Sequence, residues 1–122
     1  MANHEIVLED WIFVAFNEGR HLLGRSPNDN CYRLTSQIVS LDGSYPPKWV
    51  ETKTGTHYIL GCRAFYFNLK AEAALFRTFR EWGVPIEKFI EIVRATNSAI
   101  AKMNAEETIQ VVTLSATEWT IN

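Results

Sequence analysis

Arg33 to Leu60, reading RLTSQIVSLDGSYPPKWVETKTGTHYIL, spaces its β-branched residues and turn formers in a way that specifies a compact antiparallel meander. Hydroxyl and basic residues (Arg33, Thr35, Ser36, Lys53, Thr54, Thr56, His57) interleave with apolar ones. That pattern suits a sheet with one buried face and one face able to hold something polar. The stretch is a scaffold and carries no catalytic signature.

The rest of the chain builds around it. Glu5 to Phe16 is rich in strand formers and stops at Asn17-Glu18-Gly19, a turn. Arg20 to Gly24 reads as a short second strand, Arg25 to Asn30 as a surface loop, and Tyr32 to Leu41 as one further strand. Asp42-Gly43 closes it, and Pro46-Pro47 cannot donate to a ladder, so residues 43–48 form a connection. Trp49 to Thr54 and Thr56 to Leu60 flank Gly55, where the chain either turns in a tight hairpin or bulges within one strand.

After Asn68 the hydrophobic period changes. Asn68 is placed to cap a helix from Leu69 to Gly83, with Leu75, Phe76, Phe79 and Trp82 on one face. Pro85 fits the first turn of a second helix reaching about Asn104, with Ile86, Phe89, Ile92, Val93, Ile100 and Met103 apolar. Thr108 to Leu114 returns to strand composition, extended by Glu118 to Ile121. The expected fold is therefore α+β: an N-terminal antiparallel β-meander packed with a C-terminal helical hairpin and a final β-strand. Its 122 residues suit a single domain, mainly β over 1–67, helical hairpin over 68–104 and terminal strand over 105–122.

Charge and motifs remove several function classes. A net charge of −2 lacks the electrostatic footprint of a duplex nucleic-acid binder, although two or three convergent arginines would still serve a small anion. The longest apolar runs, such as Trp11 to Phe16, fall well short of the roughly 20 residues that span a bilayer. No signal-like start precedes Cys31 and Cys62, so a cytoplasmic location with reduced thiols is expected. There is no Gly-rich phosphate loop, nucleophile elbow or helical metal-binding His pair. His4, His21 and His57 share no ligand spacing, so neither a metal site nor a cofactor is expected, and no enzyme activity.

Three groups of residues suit binding of an anionic ligand. Arg20, His21, Arg25 and Arg33 surround the 25–30 loop and lead into Thr35 and Ser36, whose hydroxyls can donate to phosphate or ribose oxygens. Thr54, Thr56 and Tyr58, with Lys53 and His57, surround Gly55, where a backbone could approach a ligand closely. Arg77 and Arg80 on the first helix, and Arg94 and Asn97 on the second, form a basic fringe beside the aromatic face. Glu81 and Glu91 lie at pairing distance in sequence from Arg77 and Arg94, as on any solvated helix.

The order of a Trp-containing first strand, a Gly-bearing loop, RLTSQIVS, VETKTGTHYILG and a helical pair resembles the first family of phage-encoded Thoeris anti-defence proteins, which act as sponges for nucleotide signals. The likeness covers residues 11–104 in layout, and locally the segments T-S-x-I-V-S and T-x-T-G-T-x-Y-x-L. It implies a sheet plus helical pair, a homo-oligomer, and non-catalytic capture of cyclic ADP-ribose isomers or cyclic oligonucleotides in the host bacterial cytoplasm. In such a sponge these arginines would meet phosphates, the Thr and Ser hydroxyls ribose, and Tyr58, Phe65, Tyr66 or Trp82 the base. The alternative is a small phage or mobile-element module that inhibits or regulates a host protein through an aromatic surface.

Overall fold

Strand β1, Glu5–Phe16, is long enough to serve two cores, and a bulge lets it do so. Its pairing with β2 (Gly19–Ser26) shifts register between Glu9 and Ile12, with Asp10 in the left-handed region at φ 51°. One extra residue in a strand exchanges its faces. Ile6 and Leu8 before the bulge therefore share an inner core with Trp11 and Phe13 after it. Ile12, Val14 and Phe16 turn instead toward the helices. Asn17 and Glu18, both at positive φ, make the two-residue turn into β2, which matches the right-handed twist of the hairpin.

The structure, a computed structural model, describes residues 5–44 and 46–121, with side chains described up to residue 107. Four short strands follow β2: β3 (Cys31–Leu34), β4 (Ile38–Leu41), β5 (Trp49–Thr52) and β6 (His57–Leu60). They complete a six-stranded sheet of order β3-β2-β1-β6-β5-β4. β4, β5 and β6 form the expected antiparallel meander, whereas Glu5–Leu8 of β1 runs parallel to His57–Leu60 of β6. The sheet is thus mixed. Gly55, at φ 88°, makes the turn between β5 and β6, which settles the hairpin reading.

Tyr32 to Leu41 is two strands, not one. β3 pairs with β2 and β4 with β5, so the halves sit at opposite ends of the sheet order. Six flat strands would place those ends ~24 Å apart at the usual interstrand spacing. The residues between Leu34 and Ile38 span at most ~14 Å even when extended. The sheet must therefore curl until its first and last strands are adjacent. Thr35 N–H donates to the Leu22 carbonyl (2.8 Å) and Lys53 N–H to the Gln37 carbonyl (2.8 Å), which ties the crossing segment to both sides. Leu8, Trp11, Leu22, Val50 and Tyr58 fill the inside of the curl.

The helices cover the outside. Asn68 Oδ1 accepts from Ala71 N–H (2.8 Å), capping α1 (Leu69–Glu81) as its sequence predicts. Gly83, at φ 73°, lets the chain leave the helix. Ala71, Ala74, Leu75 and Phe79 of α1 pack with Val14 and Leu23, and with Phe89, Ile92 and Ile100 of α2 (Ile86–Ile121). Burying the Val, Leu, Ile and Phe side chains of this layer contributes roughly 1.5–3 kcal/mol each, so it anchors the fold.

The C-terminal expectation is corrected. α2 neither stops near Asn104 nor gives way to a strand over 108–114 or 118–121; it continues to Ile121. No Gly or Pro interrupts residues 86–121. Propagating an existing helix through Thr, Ile and Val costs at most ~0.7 kcal/mol per residue, whereas a lone strand needs an edge to pair with. The curled sheet, with β3 and β4 joined by three residues, has little edge to offer.

Candidate functional site

The turn after β2 and the N-terminus of α1 face each other across a groove of about 580 Å³. Arg25 at the end of β2 and Lys70 in the first turn of α1 bring two cationic side chains to it. Arg25 Nε donates to Asp10 Oδ2 (3.1 Å), and its Nη1 to Asn30 Oδ1 (3.3 Å). The bulge thus has a second consequence: it presents Asp10 to the guanidinium. The hydrogen bond to Asp10 raises the Arg25 pKa further, so this cation is permanent. Lys70 is exposed and takes no ion-pair partner among the described residues.

The helix end adds donors. Asn68 satisfies Ala71 N–H by its side chain and Glu72 N–H by its carbonyl (3.0 Å), which leaves the first-turn amides of Leu69 and Lys70 outside the cap. Helix N-termini carry partial positive charge and favour anions. Asn68 Nδ2 also donates to Tyr32 Oη (2.7 Å), locking the groove's inner aromatic wall. Tyr66, 70 % exposed, stands over the outer side with Phe65, 55 % exposed, next to it in the chain. The Arg63 guanidinium lies 4.3 Å above the Phe65 ring. Two cations and the exposed Tyr66 ring on one groove fit an anion joined to a planar group.

Of the residues expected to bind, Arg25 among the polar set and Tyr66 among the base platforms lie in this groove. Arg33 is next but one to Cys31 on β3; its Nη2 donates to Asp29 Oδ2 (2.9 Å), while its Nε is buried with no partner among the described residues. Thr35 is 3 % exposed, and its hydroxyl accepts from Leu22 N–H (2.9 Å) and donates to the Ser36 carbonyl (2.8 Å). His21 is buried with Nδ1 3.0 Å from the Thr35 carbonyl and its ring 5.6 Å from Trp82. These two side chains pin the point where the strand changes partners.

Ser36 Oγ and Thr54 Oγ1 lie 3.1 Å apart, and Thr54 Oγ1 is 3.3 Å from Thr52 Oγ1. Tyr58 is buried in the inner core. Burial raises its pKa, partly offset by the Arg33 charge and a hydrogen bond with Thr56. The hairpin group therefore does assemble, but around itself. Arg20 lies elsewhere, its guanidinium 5.5 Å over the Phe13 ring. Arg77, Arg80, Arg94 and Asn97 are exposed on the helices, and Arg80 borders a separate hollow with Phe76 and Ile86. Trp82 stacks on Phe16, which removes one of its faces from use as a base platform.

Sequence reading passed over Asn30, Tyr32, Phe67, Asn68 as a groove residue, and Lys70. A Lys two positions after an N-cap Asn, itself preceded by three aromatics, was the available signal. Cys31 and Cys62 are free and exposed. The His57 ring stacks on Trp49 at 5.0 Å, and His4 lies outside the described residues. Among the described residues, no group of three or more His, Cys, Asp or Glu could hold a metal ion, and no helix is long and apolar enough to cross a membrane. Comparison of the chain with protein-family models, curated proteins and solved structures finds no match.

Proposed function

We propose that this chain is a non-catalytic binder that sequesters a small anionic nucleotide in the groove between the β2–β3 turn and α1. The observation that carries the reading is the convergence of Arg25, Lys70 and the α1 N-terminus with the exposed ring of Tyr66 on one groove. The phosphates lie against Arg25 and Lys70 and the base against Tyr66. In keeping with the resemblance at T-S-x-I-V-S and T-x-T-G-T-x-Y-x-L, the ligand is a cyclic ADP-ribose isomer or cyclic oligonucleotide signal of bacterial anti-phage defence, captured in the host cytoplasm.

Sequestering a scarce signal calls for a nanomolar dissociation constant, about −12 kcal/mol. Each charge-assisted hydrogen bond contributes about 1.5–3 kcal/mol, and a stacked base about 1–3. Association itself costs at least ~4 kcal/mol, so a single open groove falls short. A second copy supplying the opposite wall makes up the difference, which is the physical ground for a homo-oligomer.

The test is to incubate the purified protein with cyclic ADP-ribose isomers and cyclic di- and trinucleotides and to analyse the free fraction before and after heat denaturation. Depletion followed by recovery of one intact compound is the expected result. Recovery of a converted compound, or no depletion, contradicts the proposal. The exposure of Phe65, Tyr66 and Leu69 (55, 70 and 82 %) favours a second reading, a module that inhibits a host protein through this aromatic edge. Stoichiometric capture of one host protein, lost in Tyr66→Ala, would support that reading over the first.

A further inference from the structure

A second cavity, of about 480 Å³, opens where the lower end of the curled sheet meets α2. Trp11, Phe13, Pro46, Pro47 and Met103 give it flat apolar walls, with the Trp11 and Phe13 rings edge to face at 5.3 Å. The Trp11 indole N–H is spent on the Gly61 carbonyl (2.9 Å), so this residue offers the cavity only its ring.

The charges around the cavity are unequal in freedom. Arg63, 9 % exposed, is fully engaged: Nε and Nη2 bind Glu107 (2.9 and 2.8 Å), Nη2 also Asn104 (3.0 Å), and Nη1 the Ala64 carbonyl (2.8 Å). That pair is electrically closed. Arg20 has no ion-pair or hydrogen-bond partner among the described residues, yet its guanidinium is held 5.5 Å over the Phe13 ring, a wall of the cavity. Glu106 is exposed and has no such tether. The one positioned, uncommitted charge is therefore positive.

The geometry points to a second ligand site, independent of the groove, that takes a small planar aromatic anion: the ring lies between Trp11, Phe13 and the prolines, and the anionic group pairs with Arg20. An apolar wall beside the guanidinium strengthens such a pair by excluding water from it. The cation–π contact pre-positions Arg20, which reduces the side-chain entropy lost on binding.

Three probes that share an indole ring and differ in charge test this: indole-3-acetate, 3-methylindole and tryptamine. They are titrated into the full chain by isothermal calorimetry, with amide chemical shifts recorded in parallel. The expected result is at least tenfold tighter binding of indole-3-acetate than of tryptamine, 3-methylindole falling between, with shifts at Phe13, Arg20 and Met103. Arg20→Gln is expected to abolish the preference while leaving the exposed surface folded, and Lys70→Ala to leave it intact. A preference for tryptamine, equal or absent binding of all three, shifts centred on Tyr66 and Lys70, or a preference surviving in Arg20→Gln overturns the proposal. Because Lys70→Ala weakens the groove and does not touch the cavity lining, failure of either site is read separately.

Discussion

The hairpin end of the sheet and the groove beside α1 contain similar residue types and differ in what those residues have left to give. Around Gly55, Ser36 and Thr52 each hydrogen-bond Thr54, and Thr35 is consumed by Leu22 N–H and the Ser36 carbonyl. In the groove, Lys70 has no partner among the described residues, the first amides of α1 lie beyond the reach of the cap, and one ring is open to solvent. A satisfied hydroxyl network rigidifies a fold, and a ligand would have to break it to gain anything. Binding capacity follows unsatisfied groups rather than the abundance of polar ones.

The sharpest way to break the comparison is to disable the groove without touching the scaffold. Arg25→Ala combined with Lys70→Ala removes two charge-assisted contacts, together about 3 kcal/mol or more, so nucleotide affinity falls at least about a hundredfold. Stability is left nearly unchanged, since the Arg25–Asp10 pair is a solvent-screened surface ion pair. Dialysis and chemical denaturation read the two quantities. The converse variant is Thr35→Val, which keeps the shape and leaves Leu22 N–H without its acceptor inside the fold. It destabilises by about 1–3 kcal/mol, measured by denaturation midpoint, with nucleotide affinity unchanged.

A subtler separation uses pH. Burial raises the Tyr58 pKa, so the folded chain keeps this proton where the unfolded phenol, at its ordinary value of 10.0, loses it. The native state then binds more protons than the unfolded one, and stability falls as pH rises through about 10. Tyr58→Phe flattens that alkaline decline relative to wild type. The smallest effect is expected from Ser36→Ala, which loses two exposed hydrogen bonds, one with the Thr54 hydroxyl and a long one from its N–H (3.4 Å), and shifts stability by about 1 kcal/mol or less, with no change in binding. A large loss of binding in this variant would move the site to the hairpin.

Local signals carried most of the fold. The Asn17–Gly19 turn, Gly55, the Asn68 cap and the Gly83 stop each depend on the chemistry of a few neighbouring residues, and each lies where its sequence places it. What local pattern could not reveal were choices between distant partners. Residues 32–41 read as one strand on an imperfect alternation with no turn residue to divide it at Thr35–Gln37; the change of partner depends on β2 and β5 lying on opposite sides of a curled sheet. The parallel pairing of β1 with β6 has no local signature either. Residues 108–114 have strand composition, and only the uninterrupted helix before them overrides it.

The candidate site was legible in part for the same reason. Arg25 and Arg33 looked equivalent across the 25–30 loop, yet Arg25 reaches the groove while Arg33 turns to Asp29 and toward Tyr58. Strand pleat separates Arg33 from Tyr32, the residue before it that lines the groove. Lys70 joins from a helix almost forty residues on, a meeting made only by tertiary packing.

The most direct measurement is equilibrium dialysis of the cyclic-nucleotide panel against three proteins in parallel: wild type, the Arg25→Ala/Lys70→Ala double variant and Ser36→Ala. Retention of one intact nucleotide by wild type and Ser36→Ala, with its loss in the double variant, is the result expected if the groove is the binding site. Retention by the double variant, loss in Ser36→Ala, or no retention by wild type would contradict it.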